Sequence, residues 1–147
     1  MPDYEPIVIL LAEDDEDDCF LIKEAFAENK IANSLYIVND GEELMDFLYQ
    51  RKKYADKNTP KPDLILLDLN MPKKDGREAL KEIKNDNGLK RIPVVILTTS
   101  EAEEDIVKSY DLGVNSFITK PVTFDGMVDV IRTINKYWFQ IVKLPND

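Results

Sequence analysis

Five short runs rich in aliphatic and aromatic residues divide the chain, at 7–11, 35–38, 64–67, 93–97 and 114–118. The first, third and fourth are continuously apolar, as strands buried on both faces of a parallel sheet are. Between the runs the apolar positions recur every three or four residues, the helical spacing. Residues 15–29 carry Cys19, Ile22, Ala25 and Phe26 in that pattern, 42–50 carry Leu44, Phe47 and Leu48, and 77–85 carry Ala79, Leu80 and Ile83. Ser100 is placed to cap a fourth helix ahead of the acidic residues Glu101, Glu103 and Glu104. A long last helix is predicted over 124–141 through Met127, Val130, Ile131, Ile134, Trp138 and Ile141. Asn39-Asp40-Gly41 and Asp75-Gly76 read as turns, and 51–62 as a polar loop. The order is βαβαβαβαβα. It predicts an α/β fold, a doubly wound five-stranded parallel sheet in one domain over 1–147, with its core at about 7–141.

The polar residues that interrupt this pattern fall where strands end. Glu13 and Asp14 open an acidic run reaching Asp18, Asp68 follows the third strand, Thr98 to Ser100 the fourth, and Lys120-Pro121 the fifth. All strand ends of one polarity share an edge of a parallel sheet, and open α/β sheets hold ligands there. Carboxylates gathered at that edge repel one another unless a cation intervenes, and hard oxygen donors suit Mg2+. A lysine and a hydroxyl opposite them suit phosphoryl oxygens. Together these residues describe metal-assisted phosphoryl transfer with Asp68 as the nucleophile. Taken singly, an acidic run is a solvated helix start, Thr98 a cap and Lys120 a surface lysine. Their order along the chain is what favours a site.

Composition narrows the field. The formal charge of −10 disfavours nucleic acid as a direct partner. One cysteine, Cys19, leaves no internal disulfide framework and fits a reducing cytoplasm; its place in the helical pattern marks it as core. No signal segment opens the chain, and no apolar stretch nears the roughly 20 residues that span a bilayer. The absence of histidine removes Ser-His-Asp and Cys-His catalysis, and any phosphohistidine donor must belong to another protein.

The segments Ile-Leu-Leu-Ala-Glu13-Asp14, Leu-Leu-Asp68-Leu-Asn-Met-Pro72, Pro-Val-Val-Ile-Leu-Thr98 and Phe117-Ile-Thr-Lys120-Pro121 together resemble the receiver domain of two-component response regulators. Asp-Leu-Asn-Met-Pro-Lys-Lys-Asp-Gly-Arg, with Arg-Ile-Pro-Val-Val-Ile-Leu-Thr-Thr-Ser, is most similar to phytochrome-associated single-domain regulators. The resemblance implies a CheY-like, flavodoxin-like fold of strand order 2-1-3-4-5. It implies that Asp68 accepts a phosphoryl group from a sensor histidine kinase, a bacteriophytochrome being the candidate, and that the protein is a signalling phosphoacceptor that catalyses only its own phosphorylation and slow dephosphorylation. Asp14, Asp68 and the Asn70 backbone carbonyl would bind Mg2+, with Glu13 acting through metal-bound water. Thr98 and Lys120 would hold the phosphoryl group, Phe117 would be the switch aromatic, and the Lys120–Pro121 bond would be cis. Phe at 117 lacks the phenolic hydroxyl of the commoner Tyr.

Two alternatives fit less well. A haloacid-type phosphohydrolase carries a second acid two positions after its nucleophile, where this chain has Asn70. A flavin-binding module needs a phosphate loop after the first strand, and the acidic run would repel the phosphate. A phosphorylation-independent interaction module stays open. The tail holding Tyr137, Trp138 and Phe139 is either the end of the last helix or a homodimer face.

Overall fold

Side by side, the apolar runs form one sheet. In the computed structural model, which describes residues 7–29 and 33–136, the strands are β1 (Ile7–Ala12), β2 (Asn33–Val38), β3 (Leu64–Leu67), β4 (Val94–Thr98) and β5 (Ser116–Thr119). All pair in parallel, in the order β2-β1-β3-β4-β5. The helices between them are α1 (Glu16–Glu28), α2 (Gly41–Tyr49), α3 (Gly76–Asn85), α4 (Glu103–Leu112) and α5 (Phe124–Asn135), with a 3-10 turn at Lys52–Tyr54.

The period of two along a strand divides the core between two faces. Ile9, Leu11, Leu64, Leu66, Val95 and Leu97 point to α1 and α5, where they meet Ile22, Phe26, Met127 and Ile131. Leu10, Ala12, Ile65, Leu67, Val94 and Ile96 point the other way, onto Leu44, Phe47, Leu80 and Ile83 of α2 and α3. Because β1, β3 and β4 are covered on both faces, their sequences are continuously apolar rather than alternating. Cys19 lies in the α1–α5 layer, as its spacing predicts.

Two boundaries depart from prediction for reasons visible in the packing. The fifth strand starts at Ser116 rather than 114: Gly113, at φ 103°, ends α4 in the left-handed region, and Asn115 is taken up by Val94, whose N–H donates to Asn115 Oδ1 at 3.1 Å. The fourth helix starts at Glu103, and Ser100 does not cap it; the N-cap residue is Ala102, and the Ser100 hydroxyl donates instead to Asp105 Oδ2 at 2.7 Å. The last helix is described as far as Asn135, so Trp138 and Ile141 lie outside the described residues.

The two turn signals turn out to be helix starts. Asp40 accepts the Glu43 N–H at 2.8 Å and Asp75 the Arg77 N–H at 2.7 Å, so each aspartate is an N-cap and its glycine the first helical residue. Gly76 is required for a second reason. A Cβ there would drive into the Asp68 carbonyl oxygen and stand 2.7 Å from the Leu69 Cα. The start of α3 therefore rests directly on the backbone that presents Asp68. Gly76→Ala is expected to cost about 1–3 kcal/mol, the usual penalty of overpacking, measured by urea unfolding.

Candidate functional site

Sheet hydrogen bonding continues one residue past the strand ends and seats the site residues themselves. The Glu13 N–H donates to Val38 O at 2.9 Å, the Asp68 N–H to Ala12 O at 3.0 Å, and the Lys120 N–H to Thr98 O at 2.8 Å. The spacing of the site is thus the spacing of neighbouring strands, roughly 4.8 Å.

Asp68 is buried, and its two oxygens have different partners. Oδ1 accepts the Thr98 hydroxyl at 2.6 Å and the Asn70 N–H at 3.1 Å; Oδ2 lies 3.2 Å from the Lys120 ammonium. Lys120 is itself buried and lies 2.5 Å from Glu13 Oε1 and 2.8 Å from Asp18 Oδ2. Its three N–H donors therefore meet three carboxylates. Glu13 is only 1% exposed, while its neighbour Asp14 is exposed. The Glu13 carbonyl, turned away, accepts the Asn39 amide at 3.1 Å and the Cys19 thiol at 3.6 Å. Asp15 caps α1, accepting the Asp17 and Asp18 N–H groups, and this cap aims Asp18 back toward Lys120.

These contacts shift the ionisation of the groups involved. Burial pushes the Glu13 carboxyl up to about 7, the charge of Asp68 adding to the effect and the hydrogen bond from Lys120 opposing it. For Lys120, burial disfavours the cation, but hydrogen bonds to Asp18 and Glu13 and the charge of Asp68 outweigh it, and its pKa is raised. Burial and the surrounding acids push the Cys19 thiol up to about 11, which leaves it protonated and inert near neutral pH.

The donor set fits a hard divalent cation. Glu13, Asp14 and Asp68 each offer a carboxylate oxygen, all within 4.8 Å of one another. With Asp18 they make four carboxylates against the one ammonium of Lys120. Oxygen-only ligands and an excess of negative charge are what Mg2+ sites use.

Of the residues predicted from sequence, Glu13, Asp14, Asp68, Thr98 and Lys120 converge, and Asn70 borders them. Phe117 lies apart from the carboxylates, half-buried against the α2–α3–α4 layer, with its N–H donating to the Tyr110 hydroxyl at 3.1 Å. The Lys120–Pro121 bond is trans, and no cis peptide occurs among the described residues, contrary to the expectation. Trans is the lower-energy form of such a bond by about 0.5–1 kcal/mol. Tyr137, Trp138 and Phe139 lie outside the described residues. Asp18 was legible only as one member of an acidic run, and two participants, Arg77 and Asp105, gave no signal. Arg77 Nε and Nη2 grip Asp105 at 2.7 and 2.6 Å, beside the site.

The family model of the response regulator receiver domain matches residues 9–132. The chain belongs to the response regulator receiver domain family. Response regulator Rcp1 from the cyanobacterium Synechocystis is 47% identical to this receiver over 140 residues, covering 95% of this chain and 94% of Rcp1. The phosphorylated cyanobacterial phytochrome response regulator RcpA superposes with a TM-score of 0.90 at 47% identity, over 97% of this receiver and all of that chain. The Mn2+-bound form of Rcp1 gives 0.88 at 47% identity, over 96% and 100%. Receivers are signalling phosphoacceptors that partner sensor histidine kinases and bind Mg2+ or Mn2+ in an acidic pocket. No helix among the described residues of this receiver is long and apolar enough to cross a membrane.

The Arg77 fork holds the Asp105 carboxyl down at about 2, with the Ser100 hydroxyl helping. Because the folded value is depressed, the stability it contributes is present above the unfolded value of about 4 and is lost as pH falls toward 2. Arg77→Met is expected to flatten the loss of stability over that acid range, as followed by denaturant unfolding at stepped pH.

Proposed function

We propose that this receiver is a single-domain response regulator whose Asp68 takes the phosphoryl group from the phosphohistidine of a sensor histidine kinase. The observation that carries this reading is the buried Asp68 carboxylate set between one hydroxyl and one ammonium, Thr98 at 2.6 Å and Lys120 at 3.2 Å, on the floor of an acidic pocket. In the transfer, a carboxylate oxygen of Asp68 bonds to phosphorus as the phosphorus–nitrogen bond to the donor histidine breaks; the bonding pair returns to the donor ring, whose other nitrogen is protonated, leaving an acyl phosphate and a neutral imidazole. Glu13, Asp14 and Asp68 would hold Mg2+, with the Asn70 carbonyl completing the protein's share. Bound there, the ion offsets the charge that carboxylates and phosphoryl oxygens bring together.

Lys120 already gives one donor to Asp68 and can pass it to a phosphoryl oxygen while Glu13 and Asp18 keep the ammonium in place. Thr98 releases Asp68 Oδ1 to reach another phosphoryl oxygen. Its movement opens space beneath β4 and β5 for Phe117 to turn inward, which alters the α4–β5–α5 surface that partners read. Slow hydrolysis of the acyl phosphate resets the switch. The similarity to RcpA, a cyanobacterial phytochrome response regulator, supports a phytochrome as the kinase, and the family's usual setting supports the cytoplasm. The charge of −10 argues against direct nucleic-acid contact.

Acetyl phosphate with Mg2+, followed by intact mass, is expected to show one phosphoryl adduct, lost in Asp68→Asn and strongly slowed in Asp14→Ala. A wild-type chain that takes no phosphoryl group under these conditions overturns the proposal. We further propose that Tyr137, Trp138 and Phe139 form a homodimer face. Sedimentation across a concentration range is expected to show a dimer that Trp138→Ala dissociates; a monomer throughout, phosphorylated or not, rules it out.

A further inference from the structure

Arg77, the second residue of α3, is bound on two sides. Toward α4, its guanidinium makes a two-pronged hydrogen bond to Asp105, whose side chain is only 9% exposed. Toward the β3–α3 loop, Nη1 reaches Asp75 Oδ2 at 3.1 Å and both Leu69 O and Asn70 Oδ1 at 3.4 Å. Asp105 Oδ2 also accepts the Ser100 hydroxyl at 2.7 Å, and the Ser100 N–H approaches the Thr98 hydroxyl oxygen at 3.5 Å. A hydrogen-bonded circuit therefore leaves Asp68 through Thr98, passes Ser100, Asp105 and Arg77, and returns through Asn70.

This circuit joins the two loops that carry the phosphoryl-facing groups. Below it, α3 and α4 are separated by a groove of about 260 Å³, with Leu80 and Leu112 in its walls and Lys81 and Lys108 at its rim. Arg77 and Asp105 also line this groove, so the polar clamp bridges the two helices across it at their starts. A surface ion pair has no such reach. This pair is forked and anchored on a buried carboxylate, with the guanidinium partly exposed, and its far side reaches the β3–α3 loop at Asn70.

We propose that Arg77 is a positioning residue for phosphoryl transfer: through Asp105 and Ser100 it holds the β3–α3 and β4–α4 loops at the separation that brings the Asn70 backbone and the Thr98 hydroxyl to the phosphoryl site together. The inference rests on Asp68 being the phosphoacceptor. It makes Arg77 and Asp105 one unit, and it excludes lysine as a substitute, since an ammonium cannot fork to Asp105 and span to Asn70 at once.

The test measures the rate of adduct formation from acetyl phosphate over a range of Mg2+, Mg2+ affinity by calorimetry, and thermal unfolding. The proteins are wild type, Arg77→Gln, Arg77→Lys, Asp105→Asn, the Gln/Asn double variant and Ser100→Ala. Arg77→Gln and Asp105→Asn are each expected to lose about tenfold in rate or Mg2+ affinity, as supporting residues around a metal site do. The double variant should be no worse than either single one, and Arg77→Lys should not rescue. Ser100→Ala removes one half-buried hydroxyl, keeps the Arg77–Asp105 pair, and carries the test with a smaller loss in rate if the other variants fail to fold. Variants that unfold at lower temperature yet keep wild-type rates and Mg2+ affinity would overturn the inference and leave a purely structural ion pair. A wild-type chain that forms no adduct would instead overturn the assignment of Asp68, and the inference with it.

Discussion

A buried ammonium makes the carboxylate pocket compatible with a folded chain. Glu13 and Asp68 are almost wholly removed from water, and an uncompensated buried charge costs several kcal/mol. Lys120 answers this with one donor for each of Glu13, Asp18 and Asp68. The compensation is incomplete, because Asp14 adds a fourth carboxylate to the same place. The shortfall is visible in Glu13, whose ionisation burial makes difficult. The pocket is thus folded enough to be rigid and negative enough to want a divalent cation.

Everything around that pocket follows from the parallel sheet. A parallel arrangement sends each strand's carboxyl end to one edge, and the ladder runs on to Glu13, Asp68 and Lys120 after the apolar residues stop. The residues of the pocket therefore inherit the rigidity of the core without being part of it. Layers of helices on both faces exclude water from below, so the site opens at the edge alone. Gly76 shows how closely this is built: α3 begins against the backbone of Asp68, with no room for a methyl group.

Much of the site is legible because its residues break a pattern. Asp68 ends four aliphatic residues, Glu13 and Asp14 end a run of six, and Lys120 follows a short strand next to a proline. A polar residue where apolar continuation is expected stands out. Arg77, Asp105 and Asp18 do not stand out, since each lies in a helix already rich in charge, and one-third of the chain is charged. Ser100 looked like a cap because a hydroxyl before acidic residues usually is one. The buried carboxylate of Asp105, which Arg77 of α3 also grips, accepts that hydroxyl instead.

The sequence by itself determined the alternation of strands and helices, the two-faced burial of β1, β3 and β4, and the row of carboxylates, hydroxyl and lysine at the strand ends. These are local matters: periodicity records which side of an element faces the core, and a broken period marks where the core ends. Only the tertiary structure decided which carboxylates share Lys120, that both aspartate–glycine turns are helix caps, that Lys120–Pro121 is trans, and that Arg77 ties two loops together. The sharing of Lys120 and the Arg77 tie depend on the approach of segments far apart in the chain, at distances set by helix and strand packing that residue spacing does not encode; the caps and the trans bond are local, but residue type alone admits either form and the backbone geometry selects one.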